Sequence, residues 1–183
     1  VKSIQLMVEA ERRSYADRSE YLGDPDFVTV PKNELIDSIY LNRRMADFDW
    51  DKATLSNDIK PGNIIFNESE ETTHYSIIDR EGNAVSVTTT LNGSYGSKVY
   101  IEDGGYFLNN EMDDFSSKPG VPNMFGLLGS EANSIFPGKR MLSSMTPTIV
   151  EKNKKLFMIV GTPGGSTIIT SVFQTILNAY EFN

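Results

Sequence analysis

The chain has 183 residues, 39% hydrophobic and 23% charged, with a formal net charge of −8. That is globular composition, long enough to bury a core without a covalent staple. It excludes a basic nucleic-acid surface and an apolar run of the ~18 residues a membrane helix needs. With no Cys and one His, it also excludes thiolate chemistry and His-rich metal centres.

Residues 1–18 read as a helix, with Ile4, Met7 and Val8 on one face and charges opposite. A Gly and Pro turn follows at 21–26, then a second helix over 31–47 with Leu35, Ile36, Ile39 and Tyr40 as its stripe. Residues 56–71 have linker composition. From Thr72 the period changes to two: strands over 73–78 and 84–90 form a hairpin across Glu81-Gly82-Asn83. A short strand is expected at 104–108 and a long loop at 113–141. A second hairpin joins 148–150 to 156–160, and a Gly-rich turn at 161–166 leads into a helix over 167–180. The chain opens inside one helical pattern and closes just after another, so it reads as a processed piece or fragment of something longer. A missing signal peptide then says nothing about targeting.

Four places carry possible chemistry. At Glu71-Thr72 a polar linker ends in a strand beginning Thr-Thr. Cleavage before Thr72 would free an α-amine that can act as the base for its hydroxyl, whereas both threonines also suit a strand for being β-branched. Gly164 and Gly165, between a strand and a helix, leave backbone N–H groups able to hold an anion or a developing oxyanion, or are there for steric reasons. Glu111, Asp113 and Asp114 could hold an ammonium group or a metal, without calcium-loop spacing, or form a solvated acidic turn. Ser143 and Ser144 could donate to a carboxylate or cap the next strand. His74 shares a strand face with Thr72, and Asp79 could orient it, but side chains two apart on one strand rarely reach each other.

In order along the chain, these segments resemble the γ-glutamyltranspeptidase family. The motifs are Ala16-Asp17-Arg18-Ser19-Glu20-Tyr21-Leu22-Gly23-Asp24-Pro25-Asp26-Phe27, Thr72-Thr73-His74-Tyr75-Ser76 and Gly82-Asn83-Ala84-Val85. They continue through residues 108–115, Lys118-Pro119-Gly120-Val121-Pro122-Asn123, Leu142-Ser143-Ser144-Met145 and Pro163-Gly164-Gly165-Ser166. The resemblance implies an α+β fold, the αββα sandwich of N-terminal-nucleophile hydrolases, present here in part. It implies a precursor that cuts itself at Glu71-Thr72. Residues 1–71 would end the large subunit and 72–183 begin the small, catalytic one, the two staying together as a heterodimer.

The implied activity is γ-glutamyl hydrolysis and transfer, with glutathione or another γ-glutamyl compound as donor and water, amino acids or peptides as acceptors. Thr72 would be nucleophile, Thr90 its positioning partner, and Gly164 and Gly165 the oxyanion hole. Asn92, Glu111 and Asp114 would hold the substrate ammonium, and Ser143 and Ser144 its carboxylate. No metal and no cofactor is implied, and bacterial relatives are periplasmic or secreted. Residues 119–130 match a lid in which Phe125 replaces a common Tyr, and Thr167 replaces a common Arg. Alternatives are a poly-γ-glutamate transferase, a cephalosporin acylase, or an uncleaved γ-glutamyl-binding homologue.

Overall fold

The computed structural model describes residues 2–60, 72–124 and 127–182. The expectations at Glu71 and Phe125, and most of the 56–71 linker, lie outside the described residues. Contacts divide the chain into two units: Val1–Phe66 with Asp113–Leu142, and Asn67–Met112 with Ser143–Asn183.

In the first unit, helix α1 spans Lys2–Tyr21, three residues beyond the expected end. Its buried face is not the apolar one. Ile4 and Val8 are exposed, while Glu9 and Arg13 are 2% and 3% exposed. Charges lie inside because each finds several partners. Arg13 pairs with the Glu9 carboxylate, donates from Nε to the Arg44 carbonyl at 2.8 Å, and reaches Asp47 Oδ1 at 2.8 Å. Glu9 also accepts from Arg12 at 2.9 Å and from the Thr54 N–H at 3.1 Å. Burial alone would raise the Glu9 pKa, but the bonds from Arg13 and Thr54 bring it below the usual value.

The expected second helix is broken into α2 (Lys32–Leu35) and α3 (Ser38–Arg44). Asp37 is the reason: its side chain accepts from the N–H groups of Ile39 and Tyr40, starting a new helix. The stripe is not buried either, since Ile36 and Ile39 are exposed.

In the segment that begins at Asp113, one side chain joins the two ends. Buried Asn133 donates to the Asp114 carbonyl at 2.7 Å and accepts from the Leu142 N–H at 3.0 Å. Asp24 ties the Gly-Asp-Pro turn to the end of this segment, accepting from Arg140 N at 2.8 Å and Nη2 at 2.5 Å. These bonds hold the Asp24 carboxyl well below the usual carboxylate range.

Among its described residues, the second unit holds three antiparallel strand pairs and one α-helix. Strands β1 (Thr72–Ile78) and β2 (Ala84–Thr90) pair with Thr72 opposite Thr90 and Ile78 opposite Ala84. Asp79 closes their turn, accepting from the Asn83 N–H at 2.8 Å and Nδ2 at 2.6 Å. Strands β3 (Tyr100–Ile101) and β4 (Tyr106–Phe107) form a short ladder of which only the second was expected. Strands β5 (Thr148–Lys152) and β6 (Lys155–Val160) join through Asn153 and Lys154, both left-handed at φ 55° and 60°, as a two-residue hairpin turn demands. Helix α4 (Ile168–Glu181) packs against β6 and buries Ile168 and Val172. Among the described residues, the expected sheets appear as these two-stranded ladders.

Two predictions follow from the first unit. Arg13→Met leaves the buried Glu9 carboxylate with Arg12 and the Thr54 N–H as partners but without its buried guanidinium, and should lower unfolding stability by about 1–3 kcal/mol. Adding Glu9→Leu should recover much of that loss in urea titrations, and a neutral single variant would contradict the network. Asp24 has a depressed folded-state pKa, so its contribution is present above the ordinary value of 3.8 and lost as pH falls below it. Arg140→Ala should therefore flatten the fall in stability between pH 4 and pH 2. An unchanged acid slope would count against the pair.

Candidate active site

The register of β1 and β2 puts Thr72, His74 and Ser76 on one face with Thr90, Thr88 and Ser86. This face is polar and mostly half-buried, whereas Tyr75, Ile77 and Val85 on the other face are exposed. Partners explain the inversion. His74 Nδ1 lies 2.8 Å from Thr88 Oγ1 and Nε2 lies 3.0 Å from Ser76 Oγ. Ser86 donates to the Val160 carbonyl of β6 at 3.3 Å. Gly161, just past β6, lies against the His74 ring so closely that a β-carbon there would overlap it. His74 is thus a packing and hydrogen-bonding post between β1, β2 and the end of β6. Asp79 is engaged with Asn83 in the hairpin turn rather than orienting His74.

At the open end of the hairpin, Thr72 and Thr90 are cross-strand partners, both half-buried. They line a cleft of ≈ 310 Å³ together with Thr73, Thr89, Leu91, Gly93 and Tyr95. Thr90 Oγ1 accepts from the Asn92 N–H at 2.9 Å. Asn92 is 4% exposed and left-handed at φ 74°. Its Nδ2 donates to the Asn110 carbonyl at 3.1 Å, and Asn110 Oδ1 accepts from the Gly93 N–H at 2.9 Å. This reciprocal brace fixes the loop after β2 to the residues just before Glu111. Glu111 is half-buried, and its N–H donates to Asn109 Oδ1 at 3.1 Å. The structure therefore links Thr72, Thr90, Asn92 and Glu111 through bonded neighbours.

The remaining expected residues do not line that cleft. Gly164 and Gly165 have φ of 135° and 52°, a region closed to most L side chains, and the turn they make opens onto α4. The Gly164 carbonyl accepts from the Thr167 N–H at 3.0 Å and Oγ1 at 2.8 Å. Thr167, where many relatives were expected to carry Arg, thus closes this turn. Ser143 Oγ accepts from the Met145 N–H at 3.1 Å, and Ser144 is half-buried beside it. Asp114 belongs to the first unit, where it lines a small cavity with Arg18 and Asn133. Burial pulls the Arg18 guanidinium pKa down, and the charges of Tyr15 and Asp114 act in the opposite direction. Sequence reasoning missed Asn110 and Tyr95. Asn110 sits inside the quoted 108–115 motif, but nothing in its spacing announces a brace.

Comparison with known proteins places this geometry. The Gamma-glutamyltranspeptidase family model matches residues 1–183. The chain is 51% identical over 180 residues to the glutathione hydrolase proenzyme of Escherichia coli (strain K12), covering 98% of this chain and 31% of that relative. It is 52% identical over 180 residues to the glutathione hydrolase proenzyme of Pseudomonas aeruginosa, covering 98% and 32%. The chain thus spans about a third of these relatives' length. A crystal structure of a threonine-to-alanine mutant of Helicobacter pylori γ-glutamyltranspeptidase matches with a TM-score of 0.58 at 62% identity, covering 61% of each chain. The helix-and-hairpin architecture is accordingly that of the N-terminal-nucleophile hydrolases. Within that class, the chain belongs to the γ-glutamyltranspeptidase family.

The His74 post makes a prediction. Gly161→Ala should cost about 1–3 kcal/mol through overpacking against the ring. His74→Ala in the same protein should relieve part of that cost in a double-mutant cycle. Simple additivity of the two would refute the contact.

Proposed function

We propose that this chain carries the catalytic centre of a self-processing γ-glutamyl hydrolase and transferase, with Thr72 as nucleophile. The observation that carries this reading is the placement of Thr72 at the first position of β1, opposite Thr90, on the wall of an open cleft. Membership of a family whose relatives are called proenzymes supports a precursor that is cut. Cleavage at Glu71-Thr72 would divide it into a large-subunit piece, 1–71, and a small-subunit piece, 72–183, that remain a heterodimer.

In the cleaved protein the freed α-amine of Thr72 takes the proton of its own hydroxyl. With an ordinary pKa of about 7.7–8.0, much of that amine is neutral at working pH. Oγ1 attacks the γ-carbonyl of a donor such as glutathione. The tetrahedral oxyanion that forms is met by N–H groups at Gly164 and Gly165. Collapse breaks the C–N bond, the α-ammonium returns its proton to the leaving amine, and a γ-glutamyl ester remains on Thr72. Water or an acceptor amine then takes the glutamyl group and regenerates the hydroxyl. Thr90 would donate to Thr72 Oγ1 while accepting from Asn92.

Asn92, Glu111 and Asp114 would hold the substrate ammonium, since carboxylates complement it with charge-assisted bonds. Ser143 and Ser144 would donate to its α-carboxylate. No helix among the described residues is long and apolar enough to cross a membrane, and a periplasmic or secreted site of action belongs to the same proposal.

Thr72→Ala in the intact protein should abolish both the cut and glutathione hydrolysis, lowering turnover on the order of 10³-fold or more. Thr72→Ser keeps a hydroxyl and should retain some of both. Intact mass spectrometry and a glutathione assay read the two effects, and normal cleavage in Thr72→Ala would sink the assignment.

A further inference from the structure

The cleft beside Thr72 has a wall that the roles assigned so far leave unused. Among the described residues it is lined by four threonines, Leu91, Gly93 and Tyr95, none of them charged. Tyr95 is 66% exposed. Its backbone is left-handed at φ 57°, a costly setting for an aromatic residue that persists only where its surroundings enforce it. Those surroundings are specific. The Gly96 N–H donates to the Gly93 carbonyl at 2.8 Å and the Lys98 N–H to the Tyr95 carbonyl at 2.9 Å. Ser97 N–H is bonded to the Leu108 carbonyl at 2.9 Å, which fastens the turn to the residues after β4.

The ring has a rigid backing. Its centroid lies 5.3 Å from that of Phe107 in β4, tilted by 59°, and Phe107 in turn meets Tyr100 of β3 at 5.1 Å. Such tilted pairs are favourable beyond their buried area and limit the ring's freedom before any ligand arrives. An aromatic side chain held in place beside uncharged neighbours is a preorganised apolar contact surface.

We propose that Tyr95 is a specificity-determining residue: its ring packs against an aromatic or apolar group on the amine side of a γ-glutamyl compound. This rests on the reading of Thr72 as nucleophile. The leaving amine and the accepting amine are related by reversal of one step, so they occupy one place and meet the same wall. An amine carrying a bare methyl group gains little from the ring, and one carrying a benzyl group gains most.

The test compares γ-glutamyl-phenylalanine with γ-glutamyl-alanine as hydrolysis donors for the intact protein. Wild-type kcat/KM should favour the phenylalanine donor. Tyr95→Leu should lower that preference about 5- to 10-fold, the size of a lost aromatic contact, with the alanine donor changed less than about twofold. Tyr95→Phe should keep the preference. Equal losses on both donors, or an unchanged ratio, overturn the proposal. Should Tyr95→Leu fail to fold by thermal melt, Tyr95→Asn, which suits the left-handed backbone and carries no ring, serves, and an unaltered donor ratio there overturns it equally. Thr72→Ala run alongside separates the two claims. Donor turnover that survives Thr72→Ala overturns the nucleophile reading, whereas turnover lost in Thr72→Ala with an unaltered ratio in the ring-less Tyr95 variant overturns only the role of Tyr95.

Discussion

The pairing register of β1 with β2 decides which face each polar side chain of that hairpin takes. Side chains alternate across a strand, so a slip of one residue would turn Thr72 and His74 to the face that now carries Tyr75 and Ile77. Two local devices hold the register. At the closed end, Asp79 accepts twice from Asn83 and pins the turn. At the open end, the Asn92 and Asn110 brace fastens the loop after Thr90 to the segment before Glu111. Between them, His74 bonds to Thr88 and lies against Gly161, so the hairpin is also docked on the end of β6. The proposed nucleophile and the Gly164-Gly165 turn thus belong to elements that share a common post.

Both units place polar side chains where an amphipathic reading puts apolar ones. In α1 the buried positions include Glu9 and Arg13, and Ile4 and Val8 face outward. In the β1–β2 hairpin the half-buried face carries hydroxyls and an imidazole. Burying such groups is tolerable only where each is satisfied, which makes these networks sensitive to loss of a single member. They specify geometry more than they add stability. A guanidinium with acceptors on four residues, as at Arg13, has few alternative arrangements.

The hairpins were legible because period-two patterning, turn residues and β-branched content agree with one another at 72–90 and 148–160. The break between α2 and α3 was hidden because the apolar spacing of Leu35, Ile36, Ile39 and Tyr40 outweighed the capping signal of Asp37. The short β3 strand has only two paired residues, too few for a period to register. For the candidate site, the ordered motifs single out Thr72, Thr90, Asn92 and Glu111, which lie along one chain of strand pairing and hydrogen bonds in the structure. Tyr95 escaped notice because a tyrosine in a left-handed turn has no sequence signature: its position depends on long-range packing against Phe107.

The central claim is that Thr72 carries the glutamyl group. Its most direct test is to acid-quench the intact protein during turnover of a γ-glutamyl donor and map the adduct by tandem mass spectrometry. The account predicts a γ-glutamyl ester on the side chain of Thr72, in a peptide whose N-terminus is Thr72 itself. An adduct on any other residue, or turnover by protein in which Glu71 and Thr72 are still joined, would contradict it.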